Sequence, residues 1–173
     1  MMVDRPESHF IFLYHPAAFH GHHYIAYQGK PLTNKEYLEH WGKWVLTGTR
    51  AEFDILAKNI DPYVEKGVIP CVKYDRVPLN HLGMEECVMC VYCDDRQREE
   101  VWKIIAEFGV NLKAWFYERE TWEMWSPGGR LLENWIASQN LSQEEAENVR
   151  ADARQRVRAI YKNEDAIFTG LEQ

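Results

Sequence analysis

Three cysteines in the middle of the chain have the spacing of iron–sulfur ligands. Cys87, Cys90 and Cys93 follow a C-x2-C-x2-C pattern, and Cys71 could supply a fourth ligand. The residues between them favour a β-strand, which would place Cys87 and Cys93 on one face and Cys90 on the other. A cluster needs a turn that converges its ligands, so we expect buried free thiols instead.

A histidine-rich loop is the second candidate for metal chemistry. It contains His15, His20, His22 and His23, and imidazole is the commonest zinc ligand at neutral pH. No carboxylate or thiol lies within the loop, and His22 and His23 would point to opposite sides of a strand. A flexible or ligand-covering loop is the alternative, and our prediction includes no metal and no cofactor.

Residues 111–119 alternate strictly, with Lys113, Trp115, Tyr117 and Arg119 at every second position. Side chains at every second position of a strand share a face, and rings beside cations on an open sheet suit planar anions such as nucleotides. Two further lysines, on other predicted strands, could add to the same concave surface. We therefore predict a ligand-binding set of Lys43, Lys73, Lys113, Trp115, Tyr117 and Arg119. The alternative is a solvated sheet face with long side chains.

The composition limits the class of protein. The chain has 173 residues, of which 46% are hydrophobic and 27% charged, as expected for a single domain over 1–173. A formal charge of −7 argues against general affinity for nucleic acid or anionic membranes. No targeting segment and no apolar run of about 18 residues is visible, so we expect a cytoplasmic protein. No hydrolase elbow, phosphate loop or kinase signature occurs.

Short strands and helices must position these residues. The pattern predicts strands over 9–14, 23–27, 43–47, 68–75, 86–93 and 111–119, and a hairpin arm over 121–125. It also predicts helices over 33–40, 51–65 and 95–108, and two further helices in a C-terminal extension over 130–173. Capping boxes begin helices at Thr33 and Ser142. The glycine-rich loop of doubly wound folds is missing, so we expect an α+β fold: a curved, mainly antiparallel sheet with helices on one face.

Five segments, in order and spacing, resemble a known family. They are GKWVL at 42–46, VEKGVIPCVKYD at 64–75, CVYCDD at 90–95, FGV at 108–110 and LKAWFYERET at 112–121. Together they are similar to the basophilic leukaemia-expressed protein family, a domain of unknown function. The resemblance implies a fold like that of the cap-binding translation initiation factor 4E, in which helices back a curved antiparallel sheet and the ligand lies on the other face.

The resemblance leaves the function open among three alternatives. The first is a binding module that holds a phosphorylated or nucleotide-like ligand, or a partner segment, on the concave sheet face. Some family members carry a phosphothreonine lyase label, which implies a phosphate-eliminating enzyme with a lysine base and a histidine acid. The third alternative is an accessory subunit whose C-terminal helices and tryptophans bind another protein.

Overall fold

One antiparallel sheet organises the protein. The structure, a computed structural model, describes residues 1–15 and 24–169. The strands in these ranges are β1 (Met2–Asp4), β2 (Phe10–Tyr14), β3 (Ala26–Tyr27), β4 (Lys30–Pro31), β5 (Trp41–Gly48), β6 (Cys71–Asp75), β7 (Cys87–Asp94) and β8 (Trp115–Tyr117). Six form one sheet in the order β1-β2-β6-β7-β5-β8, and β3 pairs with β4. Every pairing among these described strands is antiparallel.

Six α-helices surround the sheet in the described part of the chain. They are α1 (Asn34–His40), α2 (Arg50–Glu65), α3 (Arg98–Glu107), α4 (Glu118–Met124), α5 (Arg130–Ser138) and α6 (Gln143–Lys162). The predicted capping boxes are confirmed: Thr33 and Glu36 begin α1, and Ser142 and Glu145 begin α6. Together, the antiparallel sheet and the six helices confirm the α+β class and the mainly antiparallel sheet predicted from the sequence.

The first face of the sheet carries the larger core. Alternate strand residues such as Leu13, Trp44, Val72 and Val91 are buried there. They pack with apolar side chains of α2 and α3, including the fully buried Ile60 and Ile105 on those two helices. Alternation in strands and 3.6-residue spacing in helices explain this layer, because each element presents one apolar face.

The second face is covered only in part. Tyr37 of α1, Trp41 of β5 and Phe168 of the C-terminal segment form a separate buried cluster over the β5 and β7 side of the sheet. Trp122 of α4 packs against it. Helices therefore lie against both faces, which differs from the expected arrangement with helices on one face. We call this partly covered side the open face.

The strand predicted over 111–119 is much shorter than expected. Only Trp115–Tyr117 pairs with β5, and Glu118–Met124 is helical, so the predicted hairpin arm over 121–125 is wrong. The carboxylate of Glu120 accepts a hydrogen bond from the backbone N–H of Tyr117 at 2.8 Å, and this contact fixes the start of α4. A glutamate at the third position of a helix satisfies the free backbone N–H at the helix start. Glu120 is therefore a local signal for a helix, although the alternation of the preceding residues favours a strand.

The C-terminal helices pack on the rest of the chain at both ends of α6. Near its start, Ala146 is buried with Leu132 and Ile136 of α5, against the indole of Trp125. Near its end, Ile160 joins the cluster that contains Phe168. The segment after α6 then turns back to the start of α1, where the backbone N–H of Phe168 donates to the carbonyl of Leu32 at 2.9 Å.

Candidate functional site

The strand register separates the predicted ligand-binding residues. Trp115 lies opposite Trp44 and Tyr117 lies opposite Gly42, so both follow the side-chain direction of Trp44, on the first face. Lys43, one residue from Trp44, points to the open face. Lys73 pairs with Cys90, which shares the open face with it. Only Lys43 and Lys73 of the six residues therefore reach the surface on which we expected all of them.

Lys113 and Arg119 lie outside the open-face surface. Lys113 precedes β8, donates to the carboxylate of Glu99 on α3 at 2.7 Å, and lies 5.6 Å from the centre of the Trp44 ring. Arg119 belongs to the first turn of α4, where it is exposed and donates to the carbonyl of Leu38 at 3.5 Å. The predicted grouping is wrong for these two residues because the strand that was to align them spans three residues.

Lys43 forms a buried ion pair beside the open face. Its Nζ atom lies 2.5 Å from Oε1 of Glu118 and 2.7 Å from Oγ1 of Thr121. The side chains of Lys43 and Glu118 are 10% and 13% exposed, respectively. The hydroxyl of Tyr37 donates to the other oxygen of Glu118 at 3.4 Å and accepts from the indole of Trp122 at 3.0 Å. Both charges of this pair are therefore already compensated inside the protein.

An aromatic cavity of about 490 Å³ lies over β2, β6 and β7 on the open face. We call it the open-face cavity; its lining is Ser8, Phe10, Phe12, Tyr24, Ile25, Tyr37, Trp41, Cys71, Lys73, Tyr92, Glu118, Trp122 and Phe168. Strand side chains form its floor, and α1, α4 and the C-terminal segment supply its walls. Its volume falls within the range of about 300–1,000 Å³ that is typical of small-molecule sites.

The amine of Lys73 lies among aromatic rings in this cavity. Its Nζ atom is 4.3 Å from the ring centre of Phe10 and 6.0 Å from that of Tyr92. In residues 1–15 and 24–169 the lysine forms no ion pair or hydrogen bond. The residues outside these ranges, 16–23 and 170–173, contain one acidic side chain, that of Glu172. An ammonium group held against ring faces can also bind an anionic ligand.

Buried phenols add polar groups to the lining of the cavity. Burial raises the pKa of Tyr24 and Tyr92, and the nearby Cys71 and Cys90 thiols respectively contribute to these shifts. Burial likewise raises the pKa of Tyr37, and the carboxylate of Glu118 adds to that shift. These phenols therefore stay protonated at neutral pH, and the proton of Tyr37 is already donated to the carboxylate of Glu118.

The four cysteines follow the strand alternation that we predicted. Cys87 and Cys93 are buried in the core of the first face, whereas Cys71 lines the open-face cavity and Cys90 pairs with Lys73. All four thiols are free and buried. Burial raises the pKa of each thiol, which keeps it protonated and poorly nucleophilic. The prediction of buried free thiols is confirmed.

One group of potential metal ligands occurs in the described residues, at the end of β7. Single ligand atoms of His40, Asp94 and Asp95 lie within 4.8 Å of one another. Asp94 already binds the guanidinium of Arg96 through both oxygens, at 2.8 and 2.7 Å. Asp95 binds Nδ1 of His40 at 2.9 Å and accepts from the hydroxyl of Tyr117 at 3.0 Å. These partners make the group a structural junction between α1, β7 and β8.

The histidine loop lies largely beyond the structural description. His20, His22 and His23 fall outside the described residues, and His15 stands at the boundary. The prediction for this loop therefore stays a prediction.

Sequence reasoning missed the walls of the cavity. Tyr37, Glu118, Trp122 and Phe168 come from elements that are far apart along the chain, and periodicity says nothing about how helices cross a sheet. The one usable local signal was the capping box at Thr33, which fixes the start of α1 and with it the turn that carries Tyr37.

Comparison with protein-family models, curated proteins and solved structures finds no match for this chain. Among the described residues, every helix is too short or too polar to cross a lipid bilayer.

Proposed function

We propose that this chain is a binding module that holds a phosphorylated or nucleotide-like ligand in the open-face cavity. The single observation that carries the proposal is the amine of Lys73, 4.3 Å from the ring centre of Phe10 and without an ion-pair partner among the described residues. Ring faces stack on planar groups, and a lysine ammonium binds an anionic oxygen. The proposed site thus combines ring faces for a planar group with an ammonium group for an anionic oxygen.

The resemblance to the basophilic leukaemia-expressed protein family supports the same proposal. That resemblance implies an initiation factor 4E-like arrangement, with a ligand on the sheet face opposite the main helical layer. The open-face cavity occupies this position, across the sheet from α2 and α3. Two histidines of the described ranges, His9 and His40, lie beside the carboxylates of Asp75 and Asp95 and so do not favour the lyase alternative.

Titration calorimetry against a panel of nucleotides and phosphopeptides tests the proposal. We expect at least one anion to bind the wild-type protein and to lose about tenfold or more in affinity in Lys73→Met, which keeps the apolar stem but removes the charge. Lys113→Met is the matched control, because that lysine lies in an exposed pair on the other face. No binding at millimolar concentration, or equal losses in both variants, would contradict the proposal.

A further inference from the structure

The open-face cavity offers one uncompensated charge to a ligand. Among the described residues that line it, two carry formal charges, Lys73 and Glu118. The carboxylate of Glu118 is paired with Lys43 at 2.5 Å, and the two charges cancel. What remains for a ligand is the single positive charge of Lys73.

The acidic residue on the same strand face attracts Lys73 electrostatically but forms no ion pair with it. Asp75 lies two positions from Lys73 and points to the same side, yet it does not line the cavity. Its carboxylate accepts the backbone N–H of Val88 at 2.8 Å and lies 3.9 Å from Nε2 of His9. Asp75 is therefore occupied at the far end of the strand.

We propose that the ligand carries one negative charge on a flat, largely apolar body. This inference rests on the proposed function and narrows its ligand class. The remaining described lining offers rings, thiol and hydroxyl groups, so a second negative charge inside the cavity would find no second cation to pair with. A phosphodiester, as in a cyclic mononucleotide, and an aromatic carboxylate share the required chemistry, whereas phosphate monoesters and polyphosphates carry more charge than Lys73 compensates.

A series of adenine compounds separates charge from shape. Adenosine, cyclic AMP, AMP and ATP share the base and the ribose but differ in charge, and each is titrated into the wild-type protein in a calorimeter. We expect cyclic AMP to bind about tenfold more tightly than either adenosine or AMP, and ATP to bind more weakly still. Indole-3-acetate and its neutral amide form a second pair, which tests whether a carboxylate can supply the single negative charge.

The outcomes distinguish this inference from the proposed function. Affinity that rises from cyclic AMP to AMP to ATP overturns the single-charge inference and leaves the binding module standing. Binding of indole-3-acetate alone supports the single charge and overturns the phosphorylated or nucleotide-like ligand of the proposed function. Failure of every anion to bind overturns both.

Two variants test the charge count directly. Lys73→Met should remove the preference for cyclic AMP over adenosine, and the control Lys113→Met should retain it. Glu118→Gln leaves the charge of Lys43 uncompensated beside the cavity, so selectivity should shift by about tenfold toward AMP. Thermal unfolding confirms that each variant is folded. A Lys73→Met protein that still prefers cyclic AMP would overturn the inference.

Discussion

At the scale of single residues, the two open-face lysines have opposite environments. The amine of Lys43 is enclosed by Glu118 and Thr121, and its residue is 8% exposed. The amine of Lys73 contacts ring faces in a cavity instead. The sequence pattern predicts the same ligand-binding role for both residues, because it does not distinguish the surroundings of two lysines that both lie in strands. Lys43 is better described as part of the wall that supports the cavity.

Removal of the Lys43 amine tests its supporting role. We expect Lys43→Met to lower the free energy of unfolding by about 3 kcal/mol, because the carboxylate of Glu118 stays buried without its cation. Chemical denaturation measures this loss. A second substitution, Glu118→Gln, should recover part of it by removing the orphaned charge.

Lys113→Met serves as the control for that measurement. The pair of Lys113 with Glu99 is exposed at 46% and 57%, so we expect a change within about 1 kcal/mol. Losses of equal size at the two lysines would show that the Lys43 pair does not hold the wall together.

At the scale of elements, an ion pair joins α5 to α6. Nε and Nη2 of Arg150 donate to the two oxygens of Glu133, at 3.1 and 2.8 Å. The backbone N–H of Gly128 donates to the same carboxylate at 2.9 Å. The Arg150 guanidinium and then this N–H lower the pKa of Glu133 to about 2. The junction therefore depends on an ionised carboxylate.

Acid should loosen this junction. Because the pKa of Glu133 is lower in the folded protein, its stabilising effect is complete above the unfolded value of 4.5 and is lost as the pH falls toward about 2. We expect Glu133→Gln to lower the melting temperature at pH 7, by an amount that shrinks below pH 4.5. Calorimetric scans across this range measure the difference.

Glu147→Gln is the control for the acid experiment. Glu147 accepts from the same arginine at 2.7 Å but is 64% exposed, so its replacement should have a smaller effect at pH 7. A Glu133→Gln difference that stays constant with pH would contradict the assigned role of the carboxylate.

The elements themselves show how far sequence reasoning reaches. The sequence predicts a strand over 86–93, and β7 spans Cys87–Asp94. The prediction is close because a strand buried on both faces has a continuous apolar sequence. The prediction of a strand over 111–119 is wrong for most of its length, because alternation also occurs where a strand is followed by a helix. Side chains on a strand face could thus be predicted where the strand was long, and the helix-borne walls of the cavity could not be predicted at all.

At the scale of the whole molecule, the C-terminal segment closes the cavity. The ring of Phe168 stacks on that of Tyr37, with centres 3.7 Å apart and planes 7° from parallel. The side-chain amide of Asn34 donates to the carbonyl of Asn163 at 2.8 Å, which holds the same segment against α1. A contact between residues more than a hundred positions apart therefore shapes one wall of the open-face cavity.

Truncation of this ring tests the closure. Phe168 is 6% exposed, so Phe168→Ala should lower the free energy of unfolding by about 3 kcal/mol and weaken ligand binding, because the stacked partner of Tyr37 is lost. The neighbouring Ile167 is 53% exposed, and Ile167→Ala should change the free energy of unfolding by less than about 1 kcal/mol. Equal effects of the two substitutions on denaturation would contradict the closure.

The span of the cavity along the chain has a consequence for biosynthesis. Its described lining runs from Ser8 to Phe168, so the chain through Phe168 must leave the ribosome before the pocket can form. A nascent chain that has emerged only as far as α5 would expose the aromatic floor to solvent. The pocket can therefore form only after the segment that carries Phe168 has been synthesised.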